Sequence, residues 1–74
     1  MSKLPRKISG KELLKVFREL GFQVIRQHGS HVFLRHSDGR RLTIPVYDMV
    51  PVNLLNWILA EAKITREEFL QVLK

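Results

Sequence analysis

Two histidines flank a glycine in the run His28-Gly29-Ser30-His31, which lies between two strand-like stretches. Imidazole titrates near neutral pH, so a histidine can serve as a general acid or a general base. Glycine at the first central position of a two-residue loop is typical of a type II′ hairpin turn. In such a hairpin His28 and His31 are directly opposed, with Cβ atoms roughly 5 Å apart. The pattern predicts that Gly29 and Ser30 position two imidazoles, with His31 as the candidate catalytic residue.

Basic and aromatic residues surround this pair. RNA cleavage by attack of a 2′-hydroxyl needs a base for the hydroxyl, an acid for the leaving 5′-oxygen and cations for the developing charge. An aromatic ring between cations can stack on a nucleobase. The candidate RNA-binding residues are Arg26, Phe33, Arg35, Arg40 and Arg41. The same residues also fit a solvated strand face on which Phe33 is buried by an oligomer.

Paired histidines can also bind a metal ion instead of transferring protons. Zinc sites have three or four protein ligands. The chain contains no cysteine, and no carboxylate lies beside the pair in sequence. We therefore predict neither a metal nor a cofactor.

Positive charge is concentrated in the first part of the chain. The net charge is +6, from 13 basic and 7 acidic residues. Residues 1–41 hold ten basic and three acidic side chains, a balance of +7, whereas residues 42–74 hold three and four, a balance of −1. This asymmetry is typical of a surface that meets nucleic acid or an acidic protein.

The length of 74 residues leaves room for one small core. We expect a single domain over residues 1–74, with residues 1–7 as a flexible lead. A domain of this size is marginally stable alone, which leaves weak association into a homo-oligomer open. The lack of cysteine fits a reducing cytoplasm. No apolar run approaches the ~20 residues of a membrane span, so we expect a cytoplasmic protein without a membrane partner.

Helix and strand signals follow one another along the chain. Ser9 and Glu12 form a capping-box pattern that predicts a helix over residues 10–20. Strand-like runs follow at residues 22–28, 31–36 and 40–46. Pro51 begins a second helix, and a capping box at Thr65 begins a short third one. This order predicts the α+β class, with an antiparallel three-stranded sheet and helices on one face.

The register of the second hairpin follows from its apolar residues. A three-residue loop at 37–39 aligns the apolar residues of the two strands, whereas a two-residue loop turns them to opposite faces. The aligned register places an apolar set on one face, made of Ile25, Val32, Leu34, Leu42, Ile44 and Val46. The other face carries Arg26, His28, His31, Phe33, Arg35, Arg41 and Thr43. Phe22 and Val24 also fall on this polar face, with no role beyond shielding a sheet edge, and Trp57 of the second helix is expected in the core.

The order of short motifs resembles that of a known family. It includes Leu20-Gly21-Phe22, Gly29-Ser30-His31, Asp38-Gly39-Arg40, Leu42-Thr43-Ile44-Pro45-Val46 and Ile64-Thr65-Arg66-Glu67-Glu68-Phe69. Gly-Ser-His alone is a weak signal, but the full order, over about residues 8–70, is specific. In this order the chain resembles the HicA (YcfA-like) mRNA interferase toxins of prokaryotic toxin–antitoxin systems.

The resemblance implies a double-stranded-RNA-binding-domain-like fold, metal-independent and sequence-tolerant cleavage of mRNA, and inhibition by a HicB-like antitoxin protein. The catalytic histidine of the family corresponds to His31. Many members have a histidine where this chain has Tyr47, which either donates a proton or packs. His28 and Tyr47 are therefore the candidate assisting residues of an mRNA endoribonuclease.

Two other functions are compatible with the sequence. A non-catalytic RNA-binding module predicts salt-sensitive RNA binding, no cleavage and no special role for His31. A protein-interaction adaptor predicts that the basic face binds an acidic partner and does not bind RNA at low salt.

Overall fold

The computed structural model describes residues 3–73, which form a sheet with helices packed against one side. The elements are α1 (Gly10–Glu19), β1 (Phe22–His28), β2 (His31–His36), β3 (Arg41–Pro45), α2 (Val52–Ala62) and α3 (Arg66–Leu73). The strands form one antiparallel sheet in the order β1-β2-β3. α1 packs on β1 and β3, and α2 packs on β3. This arrangement confirms the predicted α+β class.

Both predicted capping boxes are present. The Glu12 backbone N–H donates to Ser9 Oγ at 3.1 Å, and the Ser9 N–H donates to Glu12 Oε1 at 3.1 Å. At α3 the Glu68 N–H donates to Thr65 Oγ1, and the Thr65 N–H donates to Glu68 Oε1 at 3.0 Å. This last bond lowers the pKa of the Glu68 carboxyl, since the backbone donor favours its charged form. Each box satisfies backbone donors that a helix start leaves free.

The core is built from the apolar faces of the helices and one face of the sheet. Its centre is an aromatic cluster, in which the Phe17 ring lies edge-on to Phe22 at 5.6 Å and tilted against Phe69 at 6.3 Å. All three rings are buried. Leu4, from the segment expected to be a flexible lead, is also buried in the hydrophobic core.

The two hairpin connections agree with the predictions from the sequence. Gly29 has φ +61°, and Ser30 is not among the described residues with positive φ, as a type II′ turn requires. The three-residue loop is closed by a bond from the His36 N–H to the Arg40 carbonyl at 2.8 Å. β2 and β3 pair in the predicted register, with Leu34 opposite Leu42.

The first residues of β1 face the opposite way from the prediction, because the strand contains a β-bulge. Val24 pairs with Leu34 and Arg26 with Phe33, so Ile25 is an extra residue between them. Ile25, predicted on the core face, is 56% exposed. Phe22 and Val24, predicted on the polar face, precede the bulge and lie on the helix side, where Phe22 is buried. One inserted residue inverts the alternation of the strand, which explains the wrong assignment.

The prediction that Trp57 lies in the core is wrong. Its side chain is 71% exposed. At 3.6 residues per turn, position 57 is rotated about 200° from Leu55. The buried residues of α2 lie on the Leu55 side; they are Leu55, Ile58, Leu59 and Ala62. Helical periodicity therefore accounts for the exposure of Trp57.

Candidate active site and nucleic-acid interface

The face of the sheet that points away from the helices, here called the outer sheet face, carries polar and aromatic side chains. Strand alternation sends neighbouring residues to opposite faces, so the side chains between the buried ones point outward. They are Arg26 and His28 on β1, His31, Phe33 and Arg35 on β2, and Arg41 and Thr43 on β3. The arginines and histidines are exposed, and Phe33 and Thr43 are half-buried. The structure thus brings together the predicted site residues of the three strands.

His28 and His31 form the pair that closes the first hairpin. The bulge lies between Val24 and Arg26, before this pair, so it does not disturb their direct opposition. Gln27 Nε2 donates to the Gly29 carbonyl at 3.0 Å and holds the turn between them. Both imidazoles are exposed and lie at the end of a hairpin whose geometry is defined by backbone bonds. Such a pair can take up a proton at one site and deliver one at a neighbouring site.

Tyr47 lies at the same end of the sheet. The Val46 N–H donates to the Ser30 carbonyl at 2.7 Å, which brings the chain after β3 beside the turn. The Tyr47 carbonyl accepts from the Gly10 N–H at 2.8 Å, so its backbone is also tied to the start of α1. The side chain of Tyr47 is 44% exposed. The backbone of Tyr47 is therefore adjacent to the hairpin turn that carries the histidines.

Arg26, Phe33 and their neighbours form an open depression in the outer sheet face. The guanidinium carbon of Arg26 lies 4.7 Å from the centre of the Phe33 ring, a cation–π contact. The depression has a volume of about 390 Å³. Residues that line it include Ile25, Arg26, Phe33, Arg41, Thr43 and Glu61. We call this the sheet depression; it combines a stacking surface with positive charge.

Glu61 is the member of this group that the sequence did not indicate. It lies on α2, 18 residues after Thr43 and 36 residues after Ile25, the nearest and the farthest in sequence of the strand residues that line the depression. Neither a motif nor a spacing links it to Phe33 or Arg41. Only the packing of α2 on β3 brings it there.

Arg40 occupies a different place from the other predicted RNA-binding residues. Its Nε donates to Asp38 Oδ2 at 2.8 Å, and its Nη1 donates to the Ala62 carbonyl at 2.8 Å. Its guanidinium also lies 5.3 Å from the centre of the Phe22 ring. Arg40 precedes Arg41, which faces outward, so strand alternation sends its side chain to the helix side. The structure therefore joins Arg40 to the end of α2 and separates it from the outer sheet face.

The contact with Arg40 also affects Asp38. The backbone N–H of Arg40 donates to Asp38 Oδ1 at 3.0 Å, and this bond, aided by the Arg40 guanidinium, lowers the pKa of the carboxyl. The charged carboxylate is therefore favoured in the folded chain. Any stability that it contributes is complete above the unfolded-state pKa and is lost as the pH falls through the lower folded-state pKa.

Substitution of Arg40 is expected to lower the stability of the fold, whereas substitution of the adjacent Arg41 is expected to weaken RNA binding. Arg40→Gln removes charge-assisted bonds and leaves the Ala62 carbonyl without this donor, so the free energy of unfolding should fall by about 1–2 kcal/mol. Arg41→Gln should leave stability within about 0.5 kcal/mol. It should instead reduce the salt dependence of RNA binding by about 0.7 in the slope of log K against log salt.

Thermal melting and fluorescence anisotropy of the two variants measure these effects. Each variant is the matched control for the other. Loss of RNA affinity on Arg40→Gln with unchanged melting would contradict the structural role that we assign to Arg40.

His36 is separated from the other two histidines. Its ring lies edge-on to Phe22 at 5.1 Å, and its Nδ1 accepts from the Asp38 N–H at 3.1 Å. It is half-buried on the helix side, because it follows Arg35, which faces outward. His36 therefore belongs to the packing of the sheet edge.

A protein-family model matches a segment of the chain that includes the whole of this site. A model described as the HicA toxin of bacterial toxin–antitoxin systems matches residues 10–64. The chain belongs to this family. The matched segment runs from the first residue of α1 to just beyond α2, and it contains every candidate site residue named above. Membership of the HicA family assigns the chain a toxin role and implies a cognate antitoxin.

None of the curated proteins searched matches this HicA-family chain. Within the described part of the chain, no helix has the length and apolar character needed to cross a membrane.

Proposed function

We propose that this HicA-family toxin is an RNA endonuclease in which His31 performs acid–base catalysis. The observation that carries the proposal is the opposed, exposed pair of His28 and His31 at the end of a basic face that also bears Phe33. An imidazole can accept and donate a proton in acid–base catalysis, and the arginines around it match a phosphodiester substrate. mRNA is the substrate class that family resemblance indicates.

The reaction follows from the groups present. One group removes the proton of a 2′-hydroxyl, whose oxygen attacks the adjacent phosphorus. The bond from phosphorus to the 5′-oxygen breaks, and a second group protonates that oxygen. The products are a 2′,3′-cyclic phosphate and a 5′-hydroxyl, and Arg26, Arg35 and Arg41 stabilise the charge that develops on the phosphate oxygens.

His31 provides one of the two proton transfers, and His28 is the candidate for the other because it lies directly opposite. Tyr47 is the alternative, since its backbone lies beside the same turn. Loss of one limb of the pH–rate profile in His28→Ala, but not in Tyr47→Phe, would assign the second role to His28.

The proposal is tested by cleavage of a reporter mRNA with the purified chain in the presence of EDTA. The required nucleophile is a 2′-hydroxyl, so a strand with 2′-deoxyribose at the mapped cleavage position should remain intact. Cleavage of that strand at the same position would overturn the mechanism.

A non-catalytic RNA-binding module is the second candidate, favoured by the contact of Arg26 with Phe33, which provides stacking and charge without any proton transfer. The cleavage assay separates the two functions. Salt-sensitive binding of RNA that stays intact would support the second candidate.

The antitoxin is proposed to be HicB-like and to cover the outer sheet face with acidic or aromatic side chains. Such contacts would hide the histidines and neutralise the arginines together. The imidazole NMR signals of His28 and His31 should shift on antitoxin binding, and those of His36 should not. A complex with the outer sheet face open would count against this proposal.

A further inference from the structure

The sheet depression contains a carboxylate in an otherwise basic neighbourhood. Glu61 is exposed and lines the depression together with Arg41 and Thr43. In residues 3–73 the ion pair joins Asp38 to Arg40, His36 Nδ1 lies 3.1 Å from an Asp38 carboxylate oxygen, and Glu61 takes part in neither contact. A carboxylate beside a phosphate-binding surface repels phosphate. Binding of the RNA backbone therefore does not explain the position of Glu61.

The position of Glu61 is well defined by its neighbours. Ala62 is buried, and its carbonyl accepts from Arg40 Nη1 at 2.8 Å. Leu59, one helical turn earlier, is also buried in the core. The last turn of α2 is therefore attached to the chain just before β3. Glu61 lies in this turn, beside the β3 edge of the sheet, where it lines the depression.

The opposite side of the depression offers a stacking surface. Arg26 covers part of Phe33, and both aromatic rings and guanidinium planes stack on nucleobases. Thr43 pairs with Phe33 across the strands and also lines the depression.

We propose that the sheet depression is a nucleobase subsite, in which a base next to the cleaved phosphate stacks on the Arg26–Phe33 pair and is recognised by Glu61. The inference rests on the proposed RNA-cleaving function. His31 and Phe33 are two residues apart on the same face of β2, a separation of roughly 7 Å, so the subsite adjoins the histidine pair.

Guanine is the base that matches a carboxylate best. A carboxylate only accepts hydrogen bonds, and guanine presents two adjacent donors, N1–H and the 2-amino group, to its two oxygens. Adenine and cytosine present one amino donor beside a ring nitrogen that accepts, and uracil presents one N–H between two carbonyls. The subsite therefore favours guanine at a single position of the RNA and leaves the other positions unread.

Binding measurements with the His31→Ala variant test this without cleavage of the probe. The probes are short oligouridine RNAs with a single central guanine, adenine or cytosine, together with the all-uridine strand. The guanine strand should bind about tenfold more tightly than the others, as one bidentate contact provides. Adding Glu61→Gln should remove this preference. Adding Glu67→Gln, an exposed carboxylate on α3 outside the depression, should preserve it.

The outcomes distinguish the subsite from the proposed function. Equal binding of all four strands overturns the subsite and leaves RNA binding intact. A guanine preference that survives Glu61→Gln overturns the role of Glu61. Failure to bind any strand overturns both the subsite and the RNA-directed function.

Discussion

Replacement of His31 by alanine is expected to abolish RNA cleavage and growth arrest while the chain stays folded. Loss of a general acid or base lowers the rate by about 100-fold or more. The side chain is exposed on the outer sheet face, away from the helices, so the free energy of unfolding should change by less than about 0.5 kcal/mol. Induced expression, with growth and the integrity of a reporter mRNA as readouts, measures the first effect, and thermal melting measures the second.

His36→Ala is the matched control for this experiment. It also removes an imidazole, but from the packed edge beside Phe22, on the other side of the sheet. We expect lower thermal stability with cleavage retained. Full toxicity of His31→Ala, or equal loss of cleavage in both variants, would place the catalytic group elsewhere.

Gly10→Ala is expected to destabilise the fold, although alanine is the better helix former. Gly10 begins α1 and packs against the end of β3, where an added Cβ would lie 2.6 Å from Val46 Cα and closer still to the Pro45 carbonyl oxygen. Both obstacles are backbone atoms, so α1 or β3 must move. The cost of such overpacking, about 1–3 kcal/mol, exceeds the gain of up to about 1 kcal/mol from helix propensity.

The melting temperature reports the sign of this effect. About 1 kcal/mol corresponds to roughly 4–8 °C in a domain of this size. Lys11→Ala changes the next residue of the same helical turn, which is exposed, and should have little effect. A Gly10→Ala chain that melts at or above the wild-type temperature would show that α1 does not need this close approach.

Much of the fold was predictable because local signals agreed with one another. The capping boxes at Ser9 and Thr65 define two helix starts, and Gly29 defines the first turn. The apolar residues of β2 and β3 are compatible with a single register, because a slip of one residue would expose them. From these signals the outer sheet face follows, together with the opposed histidines at its end.

The sequence did not predict the bulge in β1, and the reason lies in two neighbouring residues. Val24 and Ile25 are adjacent and both apolar, so the pattern does not say which of them faces the helices. The structure exposes Ile25 and places Val24 opposite Leu34, which allows Phe22 to join Phe17 in the core. Packing of three aromatic rings determined the choice, and such packing depends on residues distant in sequence.

The sequence by itself determined the element order, the second-hairpin register, the basic outer sheet face and the pairing of His28 with His31, because turns, caps and alternation are short-range properties. Only the tertiary structure decided the roles of Arg40 and Glu61. Arg40 binds the end of α2, and Glu61 lines the sheet depression. Both placements follow from the packing of α2 on β3, which joins segments about 20 residues apart in sequence. Contacts between distant segments leave no periodic trace in a single sequence, so their chemistry became visible only in the folded chain.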